Sequence, residues 1–260
     1  MLFHDFLVAS GQAVCQRETA SGPLKVFENE QYRWFTLAGE AIQGAMDKTQ
    51  PEKVIMPTIQ AMLLFLLWPK GSQKVLNLGL GSAAIERALA TQAGIEVTSV
   101  ELESEVVLMA EQFFQFKPPA PVVHACADAF IKQSSECFDV ILIDLFSQEL
   151  HPAFFNSAQF WQNTAQRLTQ DGQVFINLYP KDEKDLLEVL LLLKPLYQHM
   201  LMIELKDFKN IILVASQQSL SKINLENISQ DSRYSRLTDN FALHLKKIFP
   251  LAPAKQGSLP

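Results

Sequence analysis

The sequence predicts an α/β protein: a mostly parallel central sheet of seven strands with an antiparallel last strand, preceded by a small N-terminal β-sheet. Three observations point there. From Lys74 to Leu193, short apolar runs alternate with stretches of helical periodicity, the pattern of parallel strands joined by right-handed crossovers. Two strand-like runs, Met200 to Leu205 and Asn210 to Ala215, then follow with no helix between them, so they must form an antiparallel hairpin at a sheet edge. Ahead of all this, residues 1 to about 50 alternate apolar and polar positions between turn signals.

In chain order, Val14 to Arg17, Leu24 to Glu28 and Tyr32 to Leu37 read as short strands, broken by Ser21-Gly22-Pro23 and Gly39. Pro57 to Trp68 reads as one buried helix closed by Pro69 and Gly71. The main sheet begins with Val75 to Leu78, then a helical stretch through Ala93 and a strand from Ile95 to Val100 that ends in Glu101. A helix from Glu103 to Phe116 follows. Pro121 to Cys126, Phe138 to Ile143 and Gln173 to Leu178 are further strands, separated by helices at Ala129 to Gln133 and Phe154 to Leu168. Beyond a helix around Asp182 to Leu193 and the hairpin, residues 217–236 are polar loop and weak helix. Asp239 to Phe249 has an amphipathic helical pattern, and the tail beyond it is loose. The organisation is thus a β region over 1–50, an α/β core over 51–216 and a helical and loop extension over 217–260.

Composition excludes several classes. Of the 260 residues, 48% are hydrophobic and 19% charged, enough apolar surface for one large core. A net charge of -6 and a pI near 5.4, with no Lys/Arg-rich run, argue against a nucleic-acid partner. The apolar stretches Ile59 to Trp68 and Leu186 to Leu193 are far shorter than the roughly 18 to 20 residues needed to span hydrocarbon, so no membrane is expected. The first ten residues hold His4 and Asp5 and no basic segment, and the three cysteines form no CxxC pair. A cytoplasmic protein with reduced thiols is expected.

The chemistry lies at strand ends. Gly79-x-Gly81 sits between a strand and a helix, where glycines let a ligand approach the backbone and free N–H groups face a polar group, though such turns also serve plain packing. Glu101 ends the next strand about 20 residues on, where an acid accepts from a ribose diol. Asp128 follows the third strand, placed to accept from an adenine amino group, and Asp144 ends the fourth on the same rim. Three acids suit a ligand with a ribose, an adenine and a cationic sulfonium, and suit a pyrophosphate poorly, although Gly79 to Ala84 also fits the dinucleotide pattern. His151, in the loop after Asp144, is a candidate general base, with a loop histidine of no role as the plainer reading. His124 and Cys126 share a strand face, but two ligands do not make a metal site, and no metal is expected. Phe154, Phe155, Phe160 and Trp161 read as helix core or gate lining.

With those residues in view, the run from about Tyr32 to Ser216 resembles the spermidine/spermine synthase family, a branch of the S-adenosylmethionine-dependent methyltransferase-like fold. Val75 to Gly81 looks like its glycine loop, Val100-Glu101-Leu102-Glu103 like its "VEID" segment and Ala127-Asp128-Ala129-Phe130 like "GDGF". Phe138 to Asp144 is similar to "YDVIIVD", Pro152-Ala153 with Phe155 to "GPA…LF", and Leu37-Ala38-Gly39 through Gln43 to the "LDGxxQ" turn. The resemblance implies that Gly79, Gly81 and Ser82 line the sulfonium side chain, Glu101 takes the ribose hydroxyls, and Asp128 with Ala129 takes adenine. It places Asp144 beside the reactive centre and has Gln43 close the pocket. The ligands it implies are S-adenosylmethionine, its decarboxylated form or methylthioadenosine, with a family-level hint of a homodimer.

The departures fall in the other half of the site. The family's glycine loop carries an Asp that grips the transferred aminopropyl group, and Ser82 stands there. Its general base is the second Asp of "DSSDP", and Ser147 occupies that place. The tyrosine of "YHEM" is replaced by Met56 or a neighbour. Three readings stay open: a transferase moving a methyl or related alkyl group to a non-polyamine acceptor, aminopropyl transfer with a relocated base, and a non-catalytic nucleoside-binding relative. NAD-dependent redox chemistry is disfavoured by the terminal hairpin and Asp128.

Overall fold

The computed structural model describes residues 11–68, 71–117, 122–146, 151–238 and 241–251. The expectations for the first ten residues, Pro69, Pro121, Ser147, Asp239 and the tail beyond 251 lie outside the described residues.

Four strands open the fold: β1 (Gln12–Thr19), β2 (Gly22–Glu28), β3 (Tyr32–Leu37) and β4 (Ile42–Asp47), paired antiparallel in that order. The fourth was not expected from the sequence. Gly44 in its middle is needed for a close approach: a Cβ there would stand 2.7 Å from Ser82 Oγ and 2.9 Å from Phe35 Cε1. Leu24, Val26, Phe35 and Met46 of this small sheet pack on Val106, Met109 and Phe114, which seats it on the main domain.

The main domain follows with α1 (Pro57–Met62), a 3-10 turn (Leu63–Leu67), β5 (Gln73–Leu78), α2 (Ala84–Leu89), β6 (Ile95–Glu101) and α3 (Ser104–Phe113). Next come β7 (Val123–His124), α4 (Ala127–Gln133), β8 (Phe138–Ile143), a 3-10 turn (Ala153–Asn156), α5 (Ala158–Gln166) and β9 (Leu168–Leu178). The described chain finishes with α6 (Glu183–Leu193), β10 (His199–Leu205), β11 (Ile211–Ser216), α7 (Leu225–Gln230), α8 (Ser232–Leu237), α9 (Phe241–His244) and β12 (Leu245–Leu251). The second sheet has the order β12-β10-β11-β9-β8-β5-β6-β7, parallel from β9 to β7 and antiparallel beyond.

That sheet has eight strands where the sequence predicts seven. The expected helix over 239–249 is instead a single turn, Phe241–His244, followed by β12 on the outer edge of β10. Its LKKIFPL sequence has the charges and proline of an edge strand, and the open ladder of β10 outweighs its helical periodicity. The extension over 217–260 is therefore not only helix and loop, and the expected hairpin lies inside the edge rather than at it.

Alternate residues of each strand feed two cores, as a sheet covered on both faces requires. Val75, Val140, Phe175 and Val214 meet α1, the first 3-10 turn, α2 and α7 to α9. Leu76, Ile141, Ile176 and Leu213 meet α4, α5 and α6. Phe155, Phe160 and Trp161 belong wholly to the second core, with Trp161 Nε1 donating to the Phe155 carbonyl at 2.7 Å. Among the described residues no helix is long and apolar enough to cross a membrane.

Candidate functional site

The strand order changes direction at β5, which pairs with β6 on one side and β8 on the other. Open α/β sheets bind ligands outside the carboxyl ends of such strands. Here the chain leaves β5 through Gly79 at φ +95° and Gly81 at φ +54°, and enters α2 at Ala83, also left-handed at φ +55°. Gly79 has no alternative: a Cβ would stand 2.3 Å from the Asp144 carbonyl oxygen. Its N–H donates to Val100 O at 2.9 Å, and Asp144 N donates to Leu78 O at 3.0 Å, so the ends of β5, β6 and β8 are tied together.

Glu101 braces this turn. Its Oε2 accepts from Leu80 N and its Oε1 from Glu103 N, both at 2.9 Å. Each oxygen keeps a further lone-pair direction for a donor in the cleft. The cleft measures about 210 Å³. Its floor is Gly79, Gly81, Glu101 and Asp144, and Gln43 with Phe35 and Leu37 come from the small sheet above. The far wall is Ala125 to Ala127, with Leu145, Phe146, Pro152 and Phe154 beside Asp144. At the rim Ser21, in the β1–β2 turn, donates to Glu103; outside the cleft lining, Arg17 of β1 pairs with Glu105 of α3 at 3.0 Å.

Asp144 accepts from Asn177 Nδ2 at 2.8 Å, and Asn177 Oδ1 in turn accepts from Asn210 Nδ2 at 2.9 Å. Burial pushes the Asp144 carboxyl up to about 6; the Asn177 amide opposes this, while Glu86 and Glu101 add to it. Behind the turn Glu86 is buried, accepting from Asn77 and Ser99 at 2.7 Å each. Its Oε2 finds no hydrogen-bond partner among the described residues, and burial raises its pKa. Arg87 beside it reaches the carbonyls of Pro51 and Ser82, and burial lowers its pKa to about 10.

The structure therefore brings Gln43, Gly79, Gly81, Glu101 and Asp144 to one cleft. Ser82 stands apart from the lining: it is 4% exposed, sealed against Gly44 of β4. Asp128 and Ala129 lie in the first turn of α4, one and two residues past the wall formed by Ala125 to Ala127. His151 is beside the cleft, stacked on Phe155 with centroids 5.2 Å apart. Its Nε2 accepts from Tyr179 N at 2.9 Å, and burial holds its pKa below the ordinary value. The lone pair a general base would use there is committed to the backbone.

Sequence reasoning missed Ser21, Glu103 and the Asn177–Asn210 pair. The acids invite attention in the sequence; the asparagines acquire meaning only from the pairing of β9 with β11. A larger groove of about 380 Å³ lies at the opposite rim, among Trp68, Asp139, Asp171 and Lys222, away from the glycine turn and Glu101. It sits at the wrong ends of the parallel strands for ligand binding of this kind.

No protein-family model matches the chain. Over 190 residues it is 24% identical to the polyamine aminopropyltransferase of Vibrio vulnificus, covering 68% of this chain and 63% of that protein. Over 165 residues it is 24% identical to the polyamine aminopropyltransferase of Chromobacterium violaceum, covering 62% and 63%. The chain thus matches just under two thirds of the length of these curated relatives. Among solved structures, a probable spermidine synthase from Corynebacterium glutamicum superposes with a TM-score of 0.67 at 17% identity, covering 82% of this chain and 83% of that one. A spermidine synthase in complex with the transition-state analogue AdoDATO gives 0.61 at 15% identity, covering 85% and 78%. Human methyltransferase-like protein 13 in complex with SAH gives 0.58 at 20% identity, covering 70% and 90%. These structural likenesses establish the fold.

Proposed function

We propose, from the premise that this chain is spermidine synthase-like in both its sequence relatives and its fold, that the cleft binds an adenosyl sulfonium nucleoside and serves transfer from it. The observation that carries the reading is Glu101, whose carboxylate braces the glycine turn and lines the same cleft at the point where the strand order reverses. A ribose diol matches its two oxygens, and adenine fits the apolar wall at Ala125 to Ala127. The ligand is S-adenosylmethionine or its decarboxylated form, or the neutral thioether methylthioadenosine. Neighbours solved with SAH and with AdoDATO support an adenosyl ligand.

A sulfonium is already activated, so the protein chiefly aligns the acceptor for in-line attack. The nucleophile bonds to the carbon, the C–S bond breaks, and its electron pair leaves a neutral thioether. Asp144, on the cleft floor with a pKa of about 6, is the group we assign to take the acceptor's proton.

The acceptor in this proposal is not a polyamine. Ser82 carries no charge and is sealed against Gly44, so the family's contact to the ammonium of the transferred aminopropyl group has no counterpart, which argues against an aminopropyl donor and with it a polyamine product. Ser147, where the resemblance puts the family's base, has no carboxylate to offer. The names of the curated relatives favour the other reading, aminopropyl transfer to a polyamine with Asp144 as relocated base. Two measurements separate them. Calorimetric titration should show binding of S-adenosylmethionine or methylthioadenosine and none of NAD; no adenosyl binding overturns the proposal. Incubation with putrescine and decarboxylated S-adenosylmethionine should yield no spermidine; robust synthesis would promote the second reading.

A further inference from the structure

Asp144 is the last of three linked side chains. Asn210 Nδ2 donates to Asn177 Oδ1, and Asn177 Nδ2 donates to Asp144 Oδ1. Asn177 is 3% exposed, so its amide relies on protein partners. The donor from Asn210 claims the amide oxygen, which turns the N–H end toward Asp144. The pair is polarised in one direction.

The other groups facing Asp144 act against its charge. Glu86 on α2 and Glu101 on β6 are like charges, and the half-buried carboxyl loses part of its solvation among the strand ends. Asn177 is the neighbour that favours the ionised form. A partly desolvated carboxyl with two acids nearby is otherwise driven toward neutrality.

We propose that Asn177, oriented by Asn210, is a positioning residue that keeps Asp144 a carboxylate near neutral pH, and that this charge makes the cleft rank a cationic sulfonium above its neutral thioether. The inference rests on the adenosyl ligand of the proposed function and adds to it a basis for telling reactant from product. Before transfer the sulfur carries a full positive charge; afterwards it carries none. An ionised Asp144 therefore holds the reactant nucleoside more tightly than the spent one, and a protonated Asp144 cannot distinguish them electrostatically.

The test uses methylthioadenosine and its S-methyl sulfonium, which differ by one methyl group and one charge. Calorimetry gives both affinities between about pH 5 and 8, a span in which neither ligand titrates and carboxyls with raised pKa values do. In the unmodified protein the sulfonium should bind on the order of tenfold or more tightly at the upper end. That preference should collapse as the pH falls through about 6. Asn177→Leu should move the collapse upward by about one pH unit, because it removes the favourable hydrogen bond. Asn210→Ala, at a half-buried position, should move it the same way by less, and serves if the first variant fails to fold. Thioether affinity should stay constant in both, which a general loosening of the cleft would not permit. A preference that is flat with pH, or an unshifted collapse in folded variants that still bind, overturns this inference and leaves the proposed function standing. Binding of neither nucleoside at any pH overturns both.

Discussion

Glu101 joins the glycine turn to the cleft, and two substitutions separate those tasks. In Glu101→Ala the N–H groups of Leu80 and Glu103 each lose an acceptor at 2.9 Å. The side chain is half-buried, so water replaces part of what is lost, and about 1 kcal/mol per bond is appropriate, about 2 kcal/mol in all. For a chain of this size that corresponds to a fall in Tm of about 4 to 8 °C. Glu101→Gln keeps one carbonyl acceptor and should lose roughly half as much. Affinity for methylthioadenosine should fall by about 2 to 3 kcal/mol in the Ala variant, or about 30- to 150-fold, because both ribose hydroxyls lose their acceptor. Thermal unfolding without ligand and calorimetry with it measure the two effects independently. An Ala variant that melts like the unmodified protein would refute the bracing of the turn. Undiminished affinity in a folded variant would refute the ribose assignment.

Other outcomes follow from the same geometry. Gly79→Ala should be costly, about 2 to 4 kcal/mol by urea unfolding, because it adds a left-handed penalty to a collision with the Asp144 carbonyl. Gly81→Ala should cost only about 1 kcal/mol, since its nearest neighbour would be 3.8 Å away; equal losses would show that contact does not matter. Asp144 has a folded pKa of about 6 against an ordinary 3.8, so the folded state holds the proton more tightly than the unfolded one. That contribution is whole below the ordinary value and is lost as the pH rises through 6. Asp144→Asn should therefore gain in Tm relative to the unmodified protein between pH 4 and 7, and a constant difference would contradict the raised pKa. Cys126 lines the cleft and Cys137 is exposed elsewhere, so saturating methylthioadenosine should slow maleimide labelling of Cys126 alone. An unchanged rate at Cys126 would place the ligand elsewhere.

What could be read in advance was local. Gly79, Glu101 and Asp144 each end an apolar run, and strand ends on one rim of a parallel sheet must converge, so five of the expected lining residues meet. What escaped was decided by partners far along the chain. Leu245 to Phe249 belongs to the helical pattern read over 239–249 until β10 presents an unpaired edge. β4 goes unread in the sequence, and the need for glycine at its centre shows only where Ser82 and Phe35 crowd Gly44. Asn177 is one polar residue in a buried strand, and only the fold shows that it points at Asp144. The wall at Ala125 to Ala127 lies just before Asp128 because β7 stops at His124 and α4 starts at Ala127, earlier than its apolar pattern suggests.

The covering of the first 3-10 turn bears on how the chain fares during synthesis. Leu63 to Leu67 are all buried, and part of their cover is α8, where Arg233 donates to the Leu66 carbonyl across 167 residues of sequence. Tyr234 reaches back in the same way, its hydroxyl donating to Gln60 O at 2.9 Å. At about 5 to 20 residues per second, the ribosome makes those partners roughly 8 to 33 s after it has made the segment they shield. Throughout that interval a run of leucines and a phenylalanine has no native neighbour on that side. Chaperone dependence in this protein should centre on that segment, and slowing translation between residues 68 and 233 should increase aggregation of the nascent chain.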